Sequence, residues 1–458
     1  MNRDAEPRRP AAPYVVLAVA AVSIAAAFVL YQPAMRLGLL SDDYALLMWA
    51  RRLELAPRDW GQIRPLPILS WWVLATLTSA NRTPVTLHGL SLALHGLNAC
   101  LVWVLAGRFT SGRWTPLLAG ALFLVWPTSV EPVVWASGIF DVMLTTFALL
   151  LAVVVTTREE LRVRDQALAV LLTIGMIASK ETGVIAGPLT VLLAWTRWSR
   201  VSRRTWALAV AQLLLAGTYT LGRELTDRLD HRLVPRLDAG GLGRILSGTA
   251  RAFVLPLHRD FIERHPLLAI AVAVGVVMLL IGWVFRWRTQ PGSARLAVLA
   301  GVGTLLCVAP AIRLFGITPD LQGTRYVYLA AAWWSMAVAA ALLEGWRSPN
   351  GRRAALAVAG LAVAGAALVT RVHLEPWTAA RTTRDRVLRQ LIAIPPSCQQ
   401  AAVTGVPDNV SGAYVFRNGL NEALATLGRS FEWVDADRVA PECRMDLAAG
   451  IPGRADSR

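Results

Sequence analysis

The chain has 458 residues, enough for about three soluble domains, yet 55% of them are hydrophobic and 17% are charged. That balance excludes a soluble enzyme, a disordered chain and a coiled coil. The net charge of +16, from 46 basic and 30 acidic residues, does not point to nucleic acid, because the arginines are strung between apolar stretches instead of clustered.

A membrane-spanning helix needs about 20 mostly apolar residues. The first such stretch, at 13–31, follows Arg3, Arg8 and Arg9 and reads as a membrane helix with its N-terminus in the cytoplasm, because positively charged flanks stay inside. Ten more are expected at 83–107, 114–130, 133–156, 166–179, 182–197, 205–222, 266–285, 294–315, 326–344 and 353–371. The fold class is therefore an all-α polytopic membrane protein of about 11 transmembrane helices. Alternate connections are rich in arginine, among them those with Arg158, Arg162 and Arg164, and with Arg197, Arg200, Arg203 and Arg204. The short connections at 127–132, 179–182 and 316–324 hold a single cation, Lys180, which is also the only lysine of the chain. This asymmetry puts those connections and the C-terminus outside the cytoplasmic (inner) membrane.

Two external segments are long. The one at 32–64 carries Ser41-Asp42-Asp43-Tyr44 and then an amphipathic stretch, 45–55, expected to lie flat on the bilayer. The proline-marked apolar run that follows, to Leu77, is too short for a span and reads as surface-lying or re-entrant. The segment at 223–265 mixes acids, arginines and histidines, as a lid over a membrane-surface site would. Residues 1–372 then form the membrane domain, and 373–458 a small soluble α/β appendage on the external side. There Cys398 and Cys443 are expected to be bridged in an oxidising compartment, whereas Cys100 and Cys307 fall in apolar runs as small core residues.

Two adjacent carboxylates repel, which raises one pKa or attracts a cation, so Asp42 and Asp43 suit a general base or a metal ligand. Such a pair is compatible with metal-free and with divalent-metal-assisted chemistry. The bland alternative makes Ser41 or Asp42 the N-cap of the following helix. Ionisable groups in spans cost about 2.5–3.5 kcal/mol at the helix centre and ask for a partner or a function. His88 and His95 are seven apart on one helix face, a spacing that suits hydrogen bonding between helices better than one metal ion. Glu131 and Asp141 are expected to pair with arginines or serve a site. Lys180 either holds a lipid phosphate at headgroup depth or pairs locally with Glu181. Arg325, followed by Tyr326 and Tyr328, sits at the same expected depth. No Walker A sequence, GxSxG elbow, HExxH or CxxC pair is present, which removes support for ATP-driven pumping and zinc proteolysis.

Taken in order, Asp42-Asp43, Arg64-Pro65-Leu66, Leu87-His88 through His95 to Asn98, Val130-Glu131-Pro132-Val133 with Gly138 and Asp141, Lys180-Glu181-Thr182-Gly183 and Arg325-Tyr326-Val327-Tyr328-Leu329 resemble the GT-C superfamily of polytopic glycosyltransferases. The similarity spans about residues 10–345. It is nearest to dolichyl-phosphate-mannose-dependent protein O-mannosyltransferases and to mannosyltransferases with tetratricopeptide repeats, which this chain lacks. The resemblance implies a sugar donor on a polyprenyl phosphate and an inverting transfer to an acceptor hydroxyl, with Asp42 or Asp43 as the base. It implies that Lys180, Arg325 and Arg64 meet the leaving phosphate, and that Glu131, Asp141, His88, His95, Tyr326 and Tyr328 orient the site or the sugar. The competing classes are a transporter or lipid flippase, for which no internal repeat is visible, and an oligosaccharide polymerase or ligase centred on 223–265.

Overall fold

A computed structural model of the protein describes residues 12–56, 63–226, 239–287, 291–311, 316–344, 346, 348–435 and 438–447. The expected lid at 223–265 thus falls partly outside the described residues, as do residues 57–62 of the segment at 32–64. Helix α1 (Pro13–Leu30) starts with a proline at its first position, where the missing N–H costs nothing, and is apolar all round and largely exposed. A 3₁₀ turn and a short loop lead to α2 (Asp43–Arg51), followed by α3 (Pro65–Leu77) and α4 (Thr83–Phe109). Helices α1 and α4 cross at Gly96, where a Cβ would stand 2.5 Å from the Ile24 Cα. Without a hydrophobic drive between helices in lipid, such small residues allow close backbone packing. Gly96→Val is expected to push α1 off α4 and lower the melting temperature of the detergent-solubilised protein; an unchanged melt would show that α1 contributes little to the fold.

Helix α5 (Thr115–Leu124) and α6 (Val130–Val134) form one bent unit, turning by 44° at Pro127, because proline lacks the N–H that would continue the helix. There follow α7 (Ile139–Val155), α8 (Val163–Ser179), α9 (Ala186–Trp198), α10 (Arg203–Leu225), α11 (Ala239–Phe253), α12 (Arg259–Arg264), α13 (Pro266–Trp287), α14 (Pro291–Val308), α15 (Tyr328–Leu343), α16 (Pro349–Val372) and α17 (Glu375–Ala393). Each of the eleven expected stretches contains a helix, but eleven spans are not shown. Among the described residues six helical runs are long and apolar enough to cross a membrane, seven if the bent pair is one span. One of the expected stretches is short: α9, with 13 residues, rises about 20 Å, less than the hydrocarbon thickness of about 30 Å.

A correction concerns α2. It does not lie with one face on a bilayer: Tyr44, Ala45, Leu46, Leu47, Trp49 and Ala50 are all buried, because α3 packs on it and the last part of the chain covers it. That part is the expected α/β unit. It contains β1 (Gln400–Thr404), a hairpin of β2 (Asn409–Val410) and β3 (Ala413–Tyr414), α18 (Leu420–Thr426), β4 (Glu432–Trp433) and β5 (Arg444–Asp446). Strands β4, β1 and β5 lie side by side in that order, all parallel. Cys398, ahead of β1, and Cys443, ahead of β5, are joined in a disulfide with their Cα atoms 5.8 Å apart. Cys100 and Cys307 are buried free thiols.

Candidate active site

The loop at 37–42 has its backbone gripped by four residues. The Arg384 guanidinium of α17 donates to the carbonyls of Leu37 (2.9 Å) and Leu39 (2.6 Å). His88 Nε2 donates to Gly38 O (2.9 Å), so the histidine expected to bridge helices does hold this loop. Trp135 Nε1 donates to Leu40 O at 3.3 Å, and Ser41 N donates to Val415 O at 2.9 Å. Gly38 takes φ +70°, and a Cβ there would stand 2.6 Å from Arg384 Nη1, so only glycine lets the guanidinium in. A backbone fixed by packed side chains holds its functional groups in register.

The two aspartates at the end of this loop have different surroundings. Asp43 is fully buried. Its Oδ2 accepts from Leu40 N (2.8 Å), and its Oδ1 accepts from both the N–H (2.8 Å) and the hydroxyl of Ser137. Asp42 is half-buried, occupies the N-cap position of α2 and makes no capping hydrogen bond, so the N-cap alternative is not realised. Its Oδ1 accepts instead from Asn418 Nδ2 at 2.7 Å and from Ser41 Oγ at 3.2 Å. Burial pushes the Asp43 carboxyl up to about 7, against the lowering effect of the Ser137 and Leu40 donors. A carboxyl whose pKa is raised by folding contributes stability that is present below its unfolded value of about 4 and is lost as the pH rises through about 7. The melting-temperature advantage of wild type over Asp43→Asn is therefore expected to be largest near pH 5 and to shrink towards pH 8; an advantage that grows with pH would contradict this.

Beyond Trp135 the other predicted charges come together as three ion pairs from remote parts of the chain. Arg325 bonds Glu131 through Nη1. Glu131 also accepts from Thr324 Oγ1 (3.1 Å), Arg325 N (3.2 Å) and Tyr414 OH (3.2 Å). Lys180 Nζ donates to Asp141 Oδ1 at 2.5 Å, both groups being buried. Arg64 forks onto Glu181 at 2.8 and 2.6 Å and lies 4.6 Å above the Phe140 ring. Lys180 therefore does not pair with its neighbour Glu181. Burial alone would raise the Glu181 carboxyl, but Arg64, helped by Lys180, overrides it and holds the group at about 2. Tyr326 presents its ring to both Lys180 Nζ and Arg325 Cζ, each at 5.0 Å. Asp141, Lys180, Arg325 and Tyr326 line one cleft together with Thr145 and Thr182.

One residue joins this cluster to the acidic turn. The indole of Trp135 bonds Leu40 at one edge, receives the Arg325 guanidinium at 5.3 Å and packs on the Tyr414 ring at 4.5 Å. Two predicted residues lie apart from this arrangement. His95 donates from Nε2 to Leu124 O (3.0 Å), leaving Nδ1 to accept from Tyr328 OH (2.6 Å), and both are buried against Phe123. They fasten helices together and do not face the cleft residues. Ser137, Trp135, Arg384, Tyr414 and Asn418 escaped the sequence reading. The last two lie in the run Gly412-Ala413-Tyr414-Val415-Phe416-Arg417-Asn418-Gly419, whose flanking glycines both take positive φ. Among the described residues no group of three or more histidine, cysteine or acidic side chains has a geometry that could hold a metal ion.

No family model and no curated protein matches the chain. Among solved structures, the chain aligns along most of its length with the archaeal oligosaccharyltransferase AglB from Archaeoglobus fulgidus, in complex with an inhibitory peptide and a dolichol-phosphate, at 12% identity and a TM-score of 0.45. The alignment covers 85% of this chain and 62% of AglB, so the chain spans less than two thirds of that protein's length.

Proposed function

We propose that this protein is a GT-C-type membrane glycosyltransferase that moves a sugar from a polyprenyl phosphate to an acceptor hydroxyl at the external face of a cytoplasmic membrane. The observation that carries the reading is the cleft shared by Lys180 and Arg325. Two cations from separate helical segments line it beside an aromatic ring, while each is only partly used by its own carboxylate. Lys180 has three N–H donors, of which one goes to Asp141, and the Arg325 guanidinium engages Glu131 and Tyr414 through one nitrogen, Nη1. The remaining donors suit the oxygens of a phosphate monoester.

In this mechanism Asp42, the half-buried member of the pair, removes the proton of the acceptor hydroxyl. The acceptor oxygen bonds the anomeric carbon from one side as the bond from that carbon to the phosphate oxygen breaks on the other. The bonding pair leaves with the polyprenyl phosphate, and the configuration inverts. The departing oxyanion is stabilised by donors already in place at Lys180 and Arg325. Asp43 touches neither reactant; it locks the turn that presents Asp42. Arg64, paired with Glu181, fixes the wall behind the cleft.

The test uses proteoliposomes of the full chain with a labelled polyprenyl-phosphate hexose and a panel of hydroxyl acceptors. The expected result is release of polyprenyl phosphate coupled to labelled product, with Arg325→Lys raising the donor KM about tenfold because a point charge replaces the fork. Passage of intact donor across the bilayer without cleavage would instead establish a flippase.

A further inference from the structure

Asn418 stands on an exposed stretch of the C-terminal unit, more than 370 residues from the acidic pair in sequence, and yet it meets Asp42 through a built contact. Its side-chain Nδ2 donates to Asp42 Oδ1 at 2.7 Å, and its backbone N–H donates to Ser41 Oγ at 3.2 Å. Ser41 Oγ in turn donates to the same Asp42 Oδ1 at 3.2 Å. The run that carries Asn418 is pinned on both sides. Ahead of it, Val415 accepts from Ser41 N, Phe416 stacks on Tyr44 with ring centroids 6.3 Å apart, and Tyr414 is bonded to Arg325 and Glu131. Behind it, Gly419 takes φ +80° and would place a Cβ 2.3 Å from Ser41 O, so the approach is open to glycine alone.

We infer that Asn418 is a positioning residue: it fixes the rotation of the Asp42 carboxylate, occupying Oδ1 so that Oδ2 is the oxygen that takes the acceptor's proton. The inference rests on the reading of Asp42 as the base. Both donors converge on Oδ1, and a carboxylate pinned through one oxygen presents the other in a fixed direction. An exposed side chain at this place adds little to folding, and its geometric effect falls on Asp42 alone. The C-terminal unit thereby contributes to the reacting centre through one amide.

The experiment measures kcat and the donor KM for Asn418→Ala and for the isosteric Asn418→Asp, in the wild-type and Asp42→Asn backgrounds, alongside melting temperatures. The expected result is a kcat lower by about tenfold to a hundredfold for a misplaced base, an unchanged KM and melting temperature, and no further loss in the Asp42→Asn background. Wild-type kcat in both variants, or the same fractional loss with and without Asp42, would overturn the inference while leaving the base assignment standing. An Asp42→Asn enzyme that retains full transfer would overturn the base and with it the role of Asn418. A loss confined to KM or to melting would reduce Asn418 to a structural contact and overturn the inference as well.

Discussion

Replacing Asp42 by asparagine is expected to lower transfer from a labelled polyprenyl-phosphate sugar by about 10²–10⁴-fold, the usual contribution of a positioned general base, while leaving the protein folded. The fold should tolerate the change because Asp42 is half-buried and caps nothing. Asparagine keeps an acceptor oxygen for the Ser41 hydroxyl but has no basic oxygen to take a proton. The neighbouring Asp43→Asn makes an informative contrast. Its carboxylate accepts three hydrogen bonds from Leu40 and Ser137, and an amide cannot accept all three without turning its own donor toward one of them. That variant should lose stability first and activity as a consequence. Equal transfer by wild type and Asp42→Asn would remove the general base from the mechanism.

The second large effect is expected at the buried Lys180–Asp141 pair. Lys180→Met leaves the Asp141 carboxylate without its partner in a site where the two side chains are 4% and 7% exposed. Breaking such a pair costs about 3–5 kcal/mol, because the remaining charge is desolvated and uncompensated. Replacing both partners by apolar groups of similar volume removes that penalty, so Lys180→Met/Asp141→Leu should recover most of the thermal stability. It should not recover transfer, since the cleft then lacks one of its two cations. Thermal unfolding read beside donor turnover separates the two roles; a double variant that regains both would show that Lys180 serves the fold alone.

The extent to which the sequence foretold this arrangement differs from residue to residue. Glu131, Asp141, Lys180, Glu181 and Arg325 were conspicuous because ionisable groups are rare and costly beside apolar runs. Their partners were not readable. Glu131 and Arg325 are 194 positions apart, and Arg64 and Glu181 are 117 apart, separations at which no local periodicity reports contact. Lys180 and Glu181, adjacent in the chain, diverge because the 3₁₀ turn beginning at Glu181 sends their side chains to different helices. The eleven apolar stretches were legible as helices, but a composition window cannot see that Pro127 bends one of them or that α9 ends after 13 residues. Likewise, alternation of apolar and polar residues in 45–55 suggested a bilayer surface, whereas protein covers it. Tyr414 and Asn418 gave only the weakest signal, two glycines around an aromatic run, because a loop's destination is set by what it packs against.

The dependence of the acidic turn near residue 41 on a loop centred near residue 416 sets an order of events during synthesis. The donor-side cations and the acidic turn emerge from the ribosome well before the segment that clasps them. Until that closing segment is threaded onto Ser41, the Asp42 carboxylate lacks its Asn418 contact, and under the proposed mechanism the base has no fixed heading. Competence would arrive in one step, with that closing segment.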